Sequence, residues 1–390
     1  MTLSISTGVE AAIALLHRNL TPAGVLAASA SPQAAKRRYT RIFGRDHAIC
    51  ALGMAVSGDP DLLAGARAGL HSLARRQAAN GQIPKYVDPD EREVDFWYVG
   101  CIDATLWWLI AVDFLTHRFP SPEWRRTLDE PVRKALQWLH CQEHPRLRLL
   151  QQNEASDWAD IMPRSGFVLY GNALWYYVKQ RYGLPTAEET KFHFTHLFFP
   201  FSRDVPDYRR LRLLTSYVLE KGHNDGLFLS FVNFSFWGEE GDVFGNLLAV
   251  LLGLADAGPA ARILQALEAA QVAVPYPVRS VCRPIGRDNP LWRDYMDRHQ
   301  QNHPFGYHNG GIWPFIGGFW ALALAAQNRK KDAAEALQGM VQACSLGNWE
   351  FNEWLDGRSG EPRGMAGQSW NAAMLLLAEY GLRNPVFTPE

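Results

Sequence analysis

The sequence predicts an all-α protein, a closed ring of six helical hairpins that carries a small β-hairpin. Three observations predict it. Apolar residues recur at three- and four-residue spacing in twelve segments of the 390-residue chain, the spacing of one helix face. A single segment, GLFLSFVNFSFWG at 226–238, alternates as strands do. The helical segments are of two kinds, amphipathic and apolar almost all round, as two packed layers require.

In chain order, weaker periodic segments at 9–18 and 46–56 open the series, and 60–78 (PDLLAGARAGLHSLARRQA), 98–117 and 123–141 follow. Segment 166–182 is apolar almost all round and starts at a glycine-rich turn, as do 242–256 and 311–328, and these belong inside. Segment 204–220 precedes the alternating stretch. Beyond it, 258–271 and 330–346 carry one apolar stripe and belong outside, and 364–381 ends the series. No Pro/Ser-rich linker divides the chain, so 1–390 reads as one domain. The stretch 185–215 (PTAEETKFHFTHLFFPFSRDVPDYRRLRLLT) is aromatic and basic and admits three readings: a lid, a subsite wall or an oligomer contact.

Composition narrows the function classes. Hydrophobic content of 47% against 20% charged residues, with 14 Trp, 13 Tyr and 20 Phe, describes a chain with enough apolar surface to fold alone. A formal net charge of -1 leaves no general attraction to nucleic acid or anionic membranes, and Lys36-Arg37-Arg38 reads as a solvated loop. The opening residues lack a cationic start, and no charge-free apolar run reaches about 18 residues, so a cytoplasmic protein is expected. The 5 cysteines are scattered without C-x-x-C spacing, which suggests neither a disulfide framework nor a zinc knuckle. Motifs for metal hydrolysis, phosphoryl transfer, hydride transfer and serine hydrolysis are absent, and His299, His303 and His308 are not spaced as zinc ligands. No metal and no cofactor is expected.

Polar and aromatic residues gather where the most apolar segments begin. RIFGRDHAICALGMA offers Arg45 and Asp46; VDFWYVGCIDATLWW offers Asp95, Trp97, Tyr98, Asp103 and Thr105; EASDWADIMPRSGFVLYGN offers Glu154, Asp157, Trp158, Asp160, Arg164 and Asn172. Further on come Asp242 and Asn246, then Tyr307, His308, Asn309 and Trp313, then Gln368 and Trp370. Carboxylates, Arg, Asn, Gln and His match sugar hydroxyls, and Trp and Tyr faces match the C–H side of a sugar ring. Taken one at a time, such residues serve equally well as helix caps and core anchors. Hydrolysis of a glycosidic bond needs an acid and a base facing each other, and two Trp-flanked acidic clusters, 154–160 and 350–356, qualify.

FGRDHAI, YVGCIDATLWW, GDVFGNLLAVLLGLA, YHNGGIWP and QSWNAA resemble blocks of the inverting glycosidases built on an (α/α)6 barrel. That group includes the glucosidase domain of glycogen-debranching enzymes, the mannosylglycerate and glucosylglycerate hydrolases, and the alkaline/neutral invertases. The likeness runs from about residue 39 to residue 380. It implies that Asp160 in DWADIMPR is the general acid and Glu353 in FNEWLDGRSG the general base, with Asp157 and Glu350 as rivals. It also implies that Arg45, Asp46, Trp97, Tyr98, Asp103, His308, Asn309 and Trp313 line the subsite of the hydrolysed sugar. Asp157, Trp158, Arg164, Tyr307, Gln368 and Trp370 complete the expected substrate-binding set.

The expected activity is inverting hydrolysis of a small α-glucoside or short α-glucan, with sucrose cleavage as the alternative. A sugar epimerase on the same ring is the remoter reading, with His308 and either His299 or His303 as its bases. A sugar-binding protein without working carboxylates is the non-enzymatic one.

Overall fold

Helices alternate between two layers in the computed structural model, which describes residues 3–90, 92–97, 100–202, 209–298 and 300–387. In chain order they are α1 (Ile5–Asn19), α2 (Pro32–Lys36), α3 (Gly44–Val56), α4 (Pro60–Arg75), α5 (Ile102–Arg118), α6 (Pro122–Arg126), α7 (Asp129–Gln142) and α8 (Leu169–Arg181). Then come α9 (Ala187–Phe198), α10 (Arg209–Lys221), α11 (Val243–Leu251), α12 (Ala257–Ala269), α13 (Pro314–Ala326), α14 (Lys330–Trp349) and α15 (Ser369–Gly381). Among the described residues, no helix is long and apolar enough to cross a membrane.

Six helices, α3, α5, α8, α11, α13 and α15, pack neighbour on neighbour, and α15 returns to α3. This closed inner ring with an outer layer is an (α/α)6 barrel. An inner helix has protein on every side, which explains why these segments lack a polar face: every residue from Ile102 to Leu115 of α5 is buried. Outer helices need one stripe only, and α7 buries just Val132, Ala135 and Leu139. The ring closes tightly at α3 and α15, where a Cβ on Gly53 would fall 1.9 Å from the Ala373 carbonyl oxygen. Any larger residue there forces the two helices apart.

The outer layer departs from the sequence expectation in two places. The predicted helix 123–141 is split into α6 and α7, because Pro131 in the first turn of α7 cannot continue a helix from behind. The outer partner of α8 is α9, which hydrophobic spacing did not single out, and α10 rests on α9 in turn. Helix α9 buries Thr190, Phe194, Leu197 and Phe198, a regular helical stripe hidden in sequence by the aromatic and histidine residues on its other faces. Residues 203–208, within the expected lid or subsite stretch, lie outside the described residues.

Four small antiparallel sheets decorate the loops. They are β1 (Leu20–Thr21) with β2 (Gly24–Val25); β3 (Ile42–Phe43), β4 (Tyr86–Val87) and β5 (Val94–Asp95); β6 (Gln151–Gln152), β7 (Gly166–Val168) and β8 (Phe231–Val232); and β9 (Trp354–Leu355) with β10 (Pro362–Arg363). The alternating segment 226–238 supplies β8, which pairs with β7, and its return is a bridge between Val232 and Trp237. Asn233 holds that turn, its Oδ1 accepting from the N–H groups of Ser235 and Phe236.

Candidate active site

The segments that lead into α3, α5, α8, α13 and α15 line one cavity of about 410 Å³. Its wall includes Arg45, Asp46, Trp97, Trp158, Asp160, Tyr307, His308, Trp313, Glu353 and Trp370. Two of the wall residues sit on strained backbone: φ is +60° at Trp97 and +39° at Tyr307. Left-handed backbone at a side chain of that size costs about 1–3 kcal/mol and persists only where the surroundings impose it.

Glu353 directly precedes β9 and is 3% exposed. Both of its carboxyl oxygens are engaged: Tyr39 Oη donates to Oε1 at 2.5 Å, and the Met365 N–H donates to Oε2 at 3.0 Å. The return strand fits because residue 364 is glycine, at φ +76°, where a Cβ would lie 2.3 Å from Glu353 Oε2. Tyr307 lies on the same wall, and burial together with the nearby Glu353 and Asp160 carboxyls keeps its phenol un-ionised. Burial drives the Glu353 carboxyl up to about 7, a rise that the bonds from Tyr39 and Met365 limit.

Asp160 lies in the loop between β6 and β7 and is held far more loosely. Its Oδ2 is 3.6 Å from Lys85 Nζ and its Oδ1 is 3.9 Å from His308 Nδ1, both beyond ordinary hydrogen-bond length. Burial raises the Asp160 carboxyl above its usual range, and Lys85 and then Arg45 pull it back. Two residues earlier, Trp158 fixes the loop: its ring meets Phe244, His308, Trp313 and Phe315 edge-on, with centroids 5.0–5.8 Å away.

Burial raises both carboxyls, so the direction of the shift does not separate them. Hydrogen bonding does: both Glu353 oxygens accept from donors and so suit an ionised carboxylate, whereas Asp160 Oδ1 meets no donor at hydrogen-bond length among the described residues.

The rest of the wall suits a polyol with an apolar face. Arg45 donates to Asp46 Oδ1 at 3.0 Å and Asp103 Oδ2 at 3.3 Å, and its guanidinium stands 5.7 Å from the Trp370 ring centroid. His308 stacks on Trp313 with centroids 5.2 Å apart. Burial, with help from Arg45 and Arg164, holds its imidazole well below the usual histidine value, so it is neutral. His308 Nδ1, Trp158 Nε1 and Trp370 Nε1 are buried without a hydrogen-bond partner among the described residues. Unpaired buried polar atoms on a cavity wall are where ligand hydroxyls or water bond most profitably.

Five residues expected to bind substrate stand behind this wall. Asp103 is fully buried and accepts from Arg45 and from Tyr170 Oη at 3.1 Å, so it steadies Arg45. Asp157 caps its own loop, Oδ1 accepting from the Ala159 N–H and Oδ2 from Gln152. Arg164 is 1% exposed and pairs with Glu240 at 3.1 Å and Asp242 at 3.2 Å. Asn309 latches backbone, its Oδ1 accepting from Ile285 N–H and its Nδ2 donating to the carbonyls of Ile285 and Asn302. Gln368 is buried at the N-cap of α15. Arg164 thus links its loop to the start of α11, Asp157 and Asn309 tie loop to loop, and Gln368 keeps both side-chain polar atoms unpaired among the described residues. Asn172 and Asn246 latch inner helices to Leu150 and Phe228.

Tyr98 and His299 lie outside the described residues. Glu350, the rival base, is exposed at the end of α14. His303 pairs with Asp297 and does not line the cavity. Sequence reasoning missed Arg37, Arg38, Tyr39, Phe43, Lys85 and Tyr86 and gave Asp95 no role, yet all line the cavity. The basic run that reads as a solvated loop therefore forms part of the rim. A larger cavity of about 1050 Å³ around Tyr217, Phe234, Phe236, Trp237 and Arg283 contains neither carboxylate.

Comparison with known proteins adds two kinds of likeness. A family described as alkaline and neutral invertase matches residues 232–385, which include Tyr307, His308, Trp313, Glu353 and Trp370 but leave Asp160 outside. Alkaline/neutral invertase E, chloroplastic, of Arabidopsis thaliana is 30% identical over 146 residues, 36% of this chain and 23% of that protein. Cytosolic invertase 1 of Oryza sativa subsp. japonica is 28% identical over 148 residues, 36% of this chain and 25% of its own length. The chain thus matches only about a quarter of the length of these curated relatives. Among solved structures, the mannosylglycerate hydrolase of Thermus thermophilus in complex with Tris and D-glycerate superposes with a TM-score of 0.69 at 16% identity, covering 95% of this chain and 99% of that one. A glycosidase variant in complex with glucose gives a TM-score of 0.64 at 16% identity over 97% and 96% of the two chains. The fold is that of these barrels, and the chain resembles the glycoside hydrolases built on it.

Proposed function

We propose that the protein is a glycoside hydrolase that cleaves the glucosidic bond of a small α-glucoside or short α-glucan with inversion, acting as a single catalytic unit. One observation carries this reading: Asp160 and Glu353, far apart in sequence, line the same aromatic-walled cavity. Asp160 protonates the glycosidic oxygen as the bond to the anomeric carbon breaks. Glu353 takes a proton from the water that attacks that carbon from the opposite side, so the anomeric configuration inverts. Arg45, Asp46 and His308 bond the sugar's hydroxyls, and Trp97, Trp158, Trp313 and Trp370 cover its C–H faces.

A cavity of about 410 Å³ suits a mono- or disaccharide better than a long polymer. Sucrose is the second reading, favoured by the invertase match over residues 232–385, the part of the chain that holds Glu353. Of the histidines named for the epimerase reading, His308 lines the cavity, His303 does not, and His299 lies outside the described residues.

The test is a panel of sucrose, trehalose, isomaltose, maltose, panose and glucosylglycerate, with the released sugar followed by proton NMR. Release of the inverted anomer from at least one of them is expected. Retention of configuration, or isomerised sugar without hydrolysis, would overturn the mechanism.

A further inference from the structure

Lys85 carries chemistry that no motif announced. It directly precedes β4, and its backbone is clamped on both sides: its N–H donates to the Asp95 carbonyl at 2.7 Å, and its carbonyl accepts from the Gly44 N–H at 2.8 Å. The side chain is 13% exposed and delivers its ammonium to a defined place, 3.5 Å from the Trp97 ring centroid and 3.6 Å from Asp160 Oδ2. Trp97 is itself fixed, its N–H donating to Asp95 Oδ1 at 2.6 Å and its Nε1 to the Ala155 carbonyl at 3.0 Å. A cation over an indole face is attracted by the ring quadrupole, more so when water is excluded.

Taking Asp160 as the acid of the function proposed above, we propose that Lys85 is a positioning residue for the proton transfer. Its ammonium holds the Asp160 carboxyl through Oδ2, leaves Oδ1 to carry the proton, and stabilises the carboxylate left when that proton moves to the glycosidic oxygen. The Asp160 O–H bond breaks as the leaving oxygen gains its proton, and the negative charge that appears on the carboxyl faces Lys85. A 3.6 Å contact is an ion pair with room to tighten. The interaction is therefore weak while Asp160 is neutral and strengthens as charge develops, which is the condition for speeding the reaction rather than merely binding. Other groups facing the carboxyl act differently. Arg45 is shared with Asp46 and Asp103, His308 is neutral, and Tyr39 and Tyr307 are un-ionised phenols.

The experiment titrates Asp160 directly in the full-length protein, with aspartate carbonyls labelled with carbon-13 and the Asp160 signal assigned by its loss in Asp160→Asn. In Lys85→Met the midpoint is expected to rise by about one pH unit or more, and in Lys85→Arg to stay near that of the native protein. An unchanged midpoint in a folded Lys85→Met would overturn the proposal, and Lys85→Gln serves as the neutral replacement should the methionine variant unfold. On any substrate the panel reveals, Lys85→Met should lower kcat roughly tenfold or more with KM little changed, and shift the alkaline limb of the pH profile upward. The titration needs no turnover, so a protein that hydrolyses none of the sugars still tests Lys85. Hydrolysis with an unmoved midpoint sinks Lys85 alone.

Discussion

The two carboxylates of the cavity are held in opposite ways. Glu353 is caged: both oxygens accept hydrogen bonds, a glycine opposite leaves no slack, and the side chain is almost wholly buried. Asp160 is about one-third exposed and meets two longer contacts, to Lys85 and His308. A base must orient one water on a fixed line toward carbon, whereas an acid must follow a leaving oxygen as its bond lengthens. The difference teaches that two carboxylates on one cavity wall can differ in burial and in hydrogen-bond count together. On the roles proposed above, the caged one suits the base and the looser one the acid.

The largest expected effects come from removing each carboxylate. Asp160→Asn and Glu353→Gln should each lower kcat by about a thousandfold or more. An activated substrate such as α-glucosyl fluoride, which needs no protonation to leave, separates them. It should restore much of the activity of Asp160→Asn and little of that of Glu353→Gln. The reverse pattern would exchange the roles.

Next in size is Tyr39→Phe. It removes a charge-assisted hydrogen bond of about 1.5–3 kcal/mol, so kcat should fall roughly ten- to a hundredfold. As the proposed base, Glu353 must be ionised to act, and burial raises it to about 7, so the acid limb of kcat/KM should lie near neutrality. Without Tyr39 the carboxylate loses a donor and that limb should move to higher pH. A limb that stays in place would separate Tyr39 from the base.

The same burial has a consequence for stability. Glu353 has its folded value raised from 4.5 to about 7, so the native state holds a proton that the unfolded chain releases. Its contribution is fully present below about 4.5 and is lost as pH rises through 7, in total about 3 kcal/mol. Glu353→Gln removes this dependence. Denaturant unfolding should therefore show the variant gaining on the native protein between pH 5 and pH 8. Equal differences at both values would mean that Glu353 is solvated.

The ring was legible in the sequence because inner helices have no solvent face, and a segment such as 311–328 can be little else. Helix α9 was not, since its stripe is interrupted by polar and aromatic residues that face outward. At the site, residues within strong motifs were legible: Arg45, Asp46, Trp158, Asp160, His308 and Glu353 all reach the cavity. What the motifs could not separate was a polar side chain facing a ligand from one facing the next helix, because both occupy the start of an inner helix. Asp103 and Arg164 fall on the buried side by one turn or one loop. Tyr39 and Lys85 escaped for the opposite reason, since each reaches the site across a small sheet or turn whose pairing is not written locally.

The smallest prediction concerns Glu350, three residues from Glu353 in the same acidic, Trp-flanked stretch. Its side chain is exposed at the end of α14, and its carboxyl accepts one long hydrogen bond, from Asn352 Nδ2 at 3.3 Å. The backbone between them turns through the left-handed region at Phe351, with φ +47°, which sends one carboxylate to solvent and the other into the cage. An exposed carboxylate with one weak partner contributes within about 0.5 kcal/mol. Glu350→Gln should therefore leave the unfolding midpoint almost unmoved and kcat within about twofold of native. A loss as large as that of Glu353→Gln would mean that the water-activating group is not the caged one, and the contrast between the two carboxylates would have to be redrawn around Glu350.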